Sequence, residues 1–114
     1  MIKIENTEIL PISVKPGESI EIKTTYYLYG PEQRKKINVK ETRIIQYNGK
    51  AVMNPLVREV IREQGLFSSI AKLPIPEDAA PGEYEVITTI DSGQKSDTRT
   101  NKFVVNFITS FHLV

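Results

Sequence analysis

The sequence predicts an all-β fold: a sandwich of two antiparallel sheets with about seven or eight strands. Turn signals recur every eight to twenty residues along the 114-residue chain, and the segments between them alternate apolar and polar residues with period two. The run from Leu73 to Val86 adds a third observation. It ends one alternating strand, turns through Pro74, Pro76, Pro81 and Gly82, and starts another strand at Tyr84. A turn of that composition carries a chain from one sheet of a sandwich to the other.

Ile9 to Val14 reads as a first strand, with Ile2 and Ile4 extending it backwards, and Pro16-Gly17 turns the chain. Ile20, Ile22, Tyr26 and Leu28 then share one face, with Glu21, Lys23 and Thr25 opposite, the pattern of a half-buried strand. Residues 30–36 form a polar loop, and Ile37 and Val39 open a strand that runs to Tyr47. The adjacent Ile44-Ile45 suggests a bulge or a change of face. Asn48-Gly49 is a strong signal for a type I′ hairpin, followed by a short strand over residues 50–53.

Leu56 to Glu63 fits helical spacing, but a helix would stack Arg58 over Arg62 and Glu59 over Glu63. Its β-branched residues and the following Gln64-Gly65 favour an irregular strand instead. Phe67, Ala71, Leu73 and Ile75 share the inward face of the strand entering the corner, and Tyr84, Val86 and Ile90 point inward after it. Residues 91–97 are a loop, and Phe103, Val105 and Phe107 belong to the last strand. Tyr84 is expected to be buried, with its hydroxyl bonded to corner backbone, because a buried phenol normally finds a partner.

The whole chain, 1–114, reads as one domain with no internal repeat, and 108–114 reads as a C-terminal extension. That extension is apolar and β-rich, so a homodimer through the C-terminal strand, or a following domain, is expected to cover it. Fifteen basic and fourteen acidic residues leave a formal charge of +1, so no strong field exists to attract nucleic acid. Cysteine is absent, which excludes disulfides, thiolate metal sites and a cysteine nucleophile. No apolar run is long enough for a transmembrane helix, and the first residues lack the apolar core of a signal peptide.

The Val14–Glu18 turn, the strand count and the Pro-x-Asp-Ala-x-Pro-Gly-x-Tyr pattern over residues 76–84 resemble bacterial immunoglobulin-like domains of the macroglobulin type. The corner itself is similar to the E–F corner of immunoglobulin-like sandwiches. Antibody-type domains carry a buried cysteine pair and a tryptophan, and this chain has neither. The resemblance implies an immunoglobulin-like β-sandwich acting as a non-catalytic interaction or spacer module, with a protein partner or neighbouring domains. It also implies an extracellular, periplasmic or cell-envelope location. A protein that starts at Met1 would instead be cytoplasmic.

The residues offer little chemistry. His112 is the single histidine and is the third residue from the end of the sequence, and no glycine-rich phosphate loop or nucleophile elbow occurs. Glu77-Asp78 supplies too few oxygens for calcium and reads as turn chemistry. No enzymatic activity and no cofactor or metal are therefore expected. The candidate ligand-binding residues are Tyr27 and Tyr29, on the strand face opposite Tyr26 and Leu28, with the basic run Arg34-Lys35-Lys36 and nearby Lys40. Aromatic faces beside cations suit a carbohydrate or peptide ligand, engaged through Tyr27, Tyr29 and the 31–36 loop. The blander reading is a solvated loop beside an aromatic pair that covers the sheet.

Overall fold

The computed structural model describes residues 1–30 and 35–107, and these form a β-sandwich without helices. The strands are β1 (Ile2–Leu10), β2 (Ser13–Val14), β3 (Ser19–Leu28), β4 (Ile37–Tyr47), β5 (Lys50–Ala51), β6 (Leu56–Arg62), β7 (Gly65–Pro74), β8 (Gly82–Asp91) and β9 (Ser96–Val105). One sheet has the order β1-β3-β7. The other runs β2-β9-β8-β4, with β5 and β6 both pairing on the free side of β4.

The segment from Ile2 to Val14 serves both sheets. β1 pairs antiparallel with β3, and a bulge at Glu5 shifts its register between Ile4 and Asn6. The chain breaks at Leu10-Pro11-Ile12, where proline removes a ladder donor, and β2 then joins the other sheet. There it lies parallel to β9, with Val104 N donating to Ile12 O and Asn106 N to Val14 O. The upper half of β9 runs beside β1 and is tied to it by side chains. Asp97 accepts from Ile4 N, while Arg99 and Asn101 donate to the carbonyls of Ile4 and Thr7.

The bulge expected at Ile44-Ile45 is absent, and β4 pairs with β8 without interruption from Lys40 to Tyr47. The adjacent isoleucines mark a change of partner on the other edge. Residues 37–43 pair with β6, and Gln46 and Tyr47 pair with β5. Ile44 is half-buried on the outer face while Ile45 is buried inside. Asn48 and Gly49 have φ of 52° and 76°, the two positive values a type I′ turn requires. Leu56–Arg62 is a strand. Phe107, expected in the last strand, lies beyond Val105 and is exposed.

At the corner, Tyr84 is buried and donates to Ala80 O at 2.7 Å. Tyr47 packs on it with ring centroids 4.6 Å apart and donates to Pro81 O. Phe103 stacks on the other face of Tyr84 at 5.2 Å. The core falls into two apolar clusters. The larger centres on Ile20, Ile22, Ile45, Tyr84, Val86 and Phe103, and the smaller on Ile4, Tyr26, Leu28, Val39 and Ile90.

Between them lies a polar belt. The inward parity of β4 runs Val39, Glu41, Arg43, Ile45, so a carboxylate and a guanidinium enter the sandwich together, both buried. Glu41 Oε2 accepts from the Tyr26 hydroxyl at 2.6 Å, and Oε1 accepts from Ser69 Oγ at 2.6 Å. Arg43 donates to Thr24 Oγ1 at 3.1 Å and to Ser69 O and Oγ at 3.2 Å. Burial, reinforced by the Glu41 bond, pushes the Tyr26 phenol up to about 12. Burial pulls the Arg43 guanidinium below its ordinary range, with Glu41 opposing that shift.

Candidate functional site

Period-two geometry places Tyr27 and Tyr29 on the outer face of the β1-β3-β7 sheet. Their rings stack with centroids 5.5 Å apart and planes 13° from parallel. Tyr27 is half-buried between its cross-strand neighbours Lys3 and Leu66, and Tyr29 and Leu66 are exposed. The result is an aromatic and aliphatic strip at one end of the outer face, with Lys3 alongside.

Tyr29 turns that strip towards a cavity of about 400 Å³ at the end of the sandwich. Lys35 and Lys36 line the cavity from the start of β4, and Gln94 and Lys95 line it from the β8–β9 loop. That loop is held by Ser92 N donating to Lys95 O and Gly93 N donating to Asp91 Oδ1. Three lysines, the amides of Asn38 and Gln94, the Ser92 hydroxyl and the Tyr29 phenol thus line a space, beside Met1, whose lining contains no carboxylate among the described residues. Such a lining suits an anionic or hydroxyl-rich ligand held by hydrogen bonds and ring contact.

Four of the sequence-predicted residues therefore meet at one end of the molecule. Tyr29, Lys35 and Lys36 share the cavity, and Tyr27 joins them through its stack. Arg34 lies outside the described residues, as do most of the 31–36 loop, His112 and the 108–114 segment. Lys40 does not join the group: it sits on the outer face of the other sheet, opposite Asp91 on β8 and Glu59 on β6. Sequence reasoning missed Gln94 and Lys95, because only the pairing of β8 with β4 brings the β8–β9 loop to the start of β4. It also missed Glu41 and Arg43, although the alternation Ile37, Val39, Glu41, Arg43, Ile45 points both of them inward.

Among the described residues no group of three or more histidine, aspartate or glutamate side chains is gathered for a metal. Among these residues no helix is long and apolar enough to cross a membrane.

No family model and no curated protein matches the chain. Solved structures do match in fold. A Pseudomonas fluorescens alkylpurine DNA glycosylase, bound to DNA with an abasic-site analogue, superposes with a TM-score of 0.67 at 16% identity. It is matched over 93% of this chain and 30% of its own. A β-glucosidase from Erythrobacter marinus gives 0.64 at 13% identity, over 92% of this chain and 15% of its own. A sporulation control protein of Bacillus subtilis gives 0.61 at 12% identity, over 94% of this chain and 50% of its own. The likeness extends to the fold alone, and the chain spans half or less of each of these proteins.

Proposed function

We propose that this chain is a non-catalytic interaction or spacer module of the immunoglobulin-like kind, working within a larger bacterial envelope or extracellular protein. The observation that carries the reading is the pattern of fold matches: over nine-tenths of this chain corresponds to between 15% and 50% of otherwise unrelated proteins. A sandwich of this shape recurs as one part of larger assemblies. The strand order supports it as well. β1-β3-β7 facing β9-β8-β4 is the A-B-E and G-F-C arrangement of immunoglobulin-like sandwiches, and the Tyr84 bond fits a tyrosine corner. Fold alone assigns no chemistry.

Fractionation of the source cells, probed with an antibody against this domain, tests the reading. A band larger than 12.9 kDa in the envelope or culture fluid is expected. A 12.9 kDa band confined to the cytosol overturns it.

A second reading, a carbohydrate- or peptide-binding domain, rests on the Tyr27–Tyr29 stack beside the lysine-lined cavity. Acidic and neutral oligosaccharides and a peptide panel, titrated against the domain, should include a binder that the Tyr27→Ala, Tyr29→Ala double variant loses. Equal binding by that variant excludes the surface.

A further inference from the structure

The side of the sandwich between β6 and β7 is open. β7 is the outer strand of its sheet, and β6 is an outer strand of the other; no strand lies between them among the described residues. A cleft of about 240 Å³ separates the two edges. It is lined by Val57 and Ile70, from the outer faces of their strands, and by Leu56 and Ala71, from the inner faces. Contributions from both faces mean that the strand edges themselves, at 56–58 and 70–72, border the cleft.

Its charge has one sign. Arg43, Arg58 and Lys72 line it, and no carboxylate does among the described residues. Arg43 is only 2% exposed, yet its Nε–H finds no acceptor among the described residues, and neither does the buried Nε–H of Arg62 further along the same side. The guanidinium of Arg62 packs over the Phe67 ring at 4.9 Å. The one buried carboxylate nearby, Glu41, has each oxygen already engaged by a hydroxyl, from Tyr26 and Ser69. An unpaired buried donor on a cationic side chain is an unmet demand for an acceptor.

The two edges differ in their readiness to accept a strand. β6 carries Arg58, Glu59 and Arg62 within seven residues. β7 keeps unbroken register with β3 over ten residues, has no bulge, and carries one charge, Lys72. A long, regular, weakly charged edge is the kind that accepts another strand.

We propose that the β7 edge and its cleft bind an extended acidic segment of a partner protein, added to the sheet as a strand beside β7. Alternate side chains of that strand would face the cleft, and a carboxylate there would meet Arg43, Arg58 and Lys72. A second copy of this chain is a poorer fit, because its own β7 would bring Lys72 and no acid to the cleft. The inference is independent of the Tyr27–Tyr29 surface.

The test uses the full chain, labelled for NMR, and an octapeptide of alternating glutamate and valine, with its glutamine counterpart as control. The glutamate peptide should shift the amides of 56–58 and 70–72 and the side-chain Nε–H of Arg43. The glutamine peptide should bind at least about tenfold more weakly. Arg58→Glu with Lys72→Glu changes only exposed side chains, so folding should persist while affinity falls by at least about tenfold. Unmoved resonances, equal binding by the two peptides, or full affinity in the double variant would overturn the proposal. So would the whole shift pattern arising from inorganic phosphate alone, which marks an isolated anion site. The same pattern appearing on concentration without peptide marks self-pairing and equally overturns it.

Discussion

The hydroxyl of Tyr26 on β3 donates to Glu41 Oε2 on β4 at 2.6 Å, across the space between the two sheets. It is a polar bond in a place where a sandwich normally holds only apolar contacts, and it orients a carboxylate whose other oxygen is held by Ser69. Glu41 and Arg43 lie two residues apart on the same face and share Ser69 as a partner.

Tyr26→Phe keeps the ring and removes the donor, so a buried charge loses one of its two partners. Unfolding free energy in urea should fall by about 2 kcal/mol. Removing one charge alone, by Glu41→Leu or Arg43→Met, should cost about 3–5 kcal/mol because the remaining charge stays buried. The double replacement should cost less than either single one, and a double-mutant cycle by urea denaturation measures the difference. Strictly additive losses would show that the two groups do not act as a unit.

The raised Tyr26 phenol sets a pH dependence. Its folded value is about 12 against an ordinary 10.0, so between these the unfolded chain releases a proton that the folded chain keeps. The associated stability is complete below about pH 10 and declines as pH rises through the folded value, at up to about 1.4 kcal/mol per pH unit. Tyr84, also raised by burial, adds in the same direction. Denaturant midpoints measured from pH 9 upward should fall, and Tyr26→Phe should flatten the decline.

At the corner, Tyr47 and Tyr84 donate to the adjacent carbonyls of Pro81 and Ala80 at 3.0 and 2.7 Å. Each Tyr→Phe change should lower stability by about 1 kcal/mol without unfolding the domain. Thermal unfolding by circular dichroism will record the two shifts.

Two glycines at positive φ separate backbone strain from steric strain. Gly49, φ +76°, has open space where a Cβ would stand, so Gly49→Ala should cost about 1 kcal/mol and a β-branched Gly49→Val more. Gly82, φ +135°, would place its Cβ 3.1 Å from the Tyr47 hydroxyl, which is anchored to Pro81. Gly82→Ala should cost about 3 kcal/mol and blunt the effect of Tyr47→Phe.

Much of this arrangement was legible from local patterns. The alternation of Ile20 to Leu28 put Tyr26 inside and Tyr27 outside, Asn48-Gly49 announced its hairpin, and like charges at helical spacing ruled Leu56–Arg62 a strand. Pairing order was not legible, because it depends on contacts distant in sequence. Hence the approach of Lys95 to Lys35 and the open side between β6 and β7 emerge only in three dimensions. The polar belt was hidden for another reason. Charged residues within a strand are usually solvated, so composition argued against Glu41 and Arg43 being inside while their parity argued for it, and parity prevailed. Ile44-Ile45 misled because a change of edge partner at a regular strand looks, in sequence, like a bulge.

The passage of the first fourteen residues from one sheet to the other has a mechanical corollary. β1 and β2 run in the same direction as β9, so Met1 lies at one end of the sandwich and Phe107 at the other. Tension drawn between these two points pulls β2 and β9 past each other lengthwise. Their ladder bonds, together with those from Ile12 and Val14, then carry the pull side by side rather than opening in succession like a zip. A domain strung between neighbours through these two points would resist stretching through that short parallel seam, and substitutions at exposed Ser13, whose Oγ accepts from Asn106 Nδ2 across it, would tune its tensile strength more than its equilibrium fold.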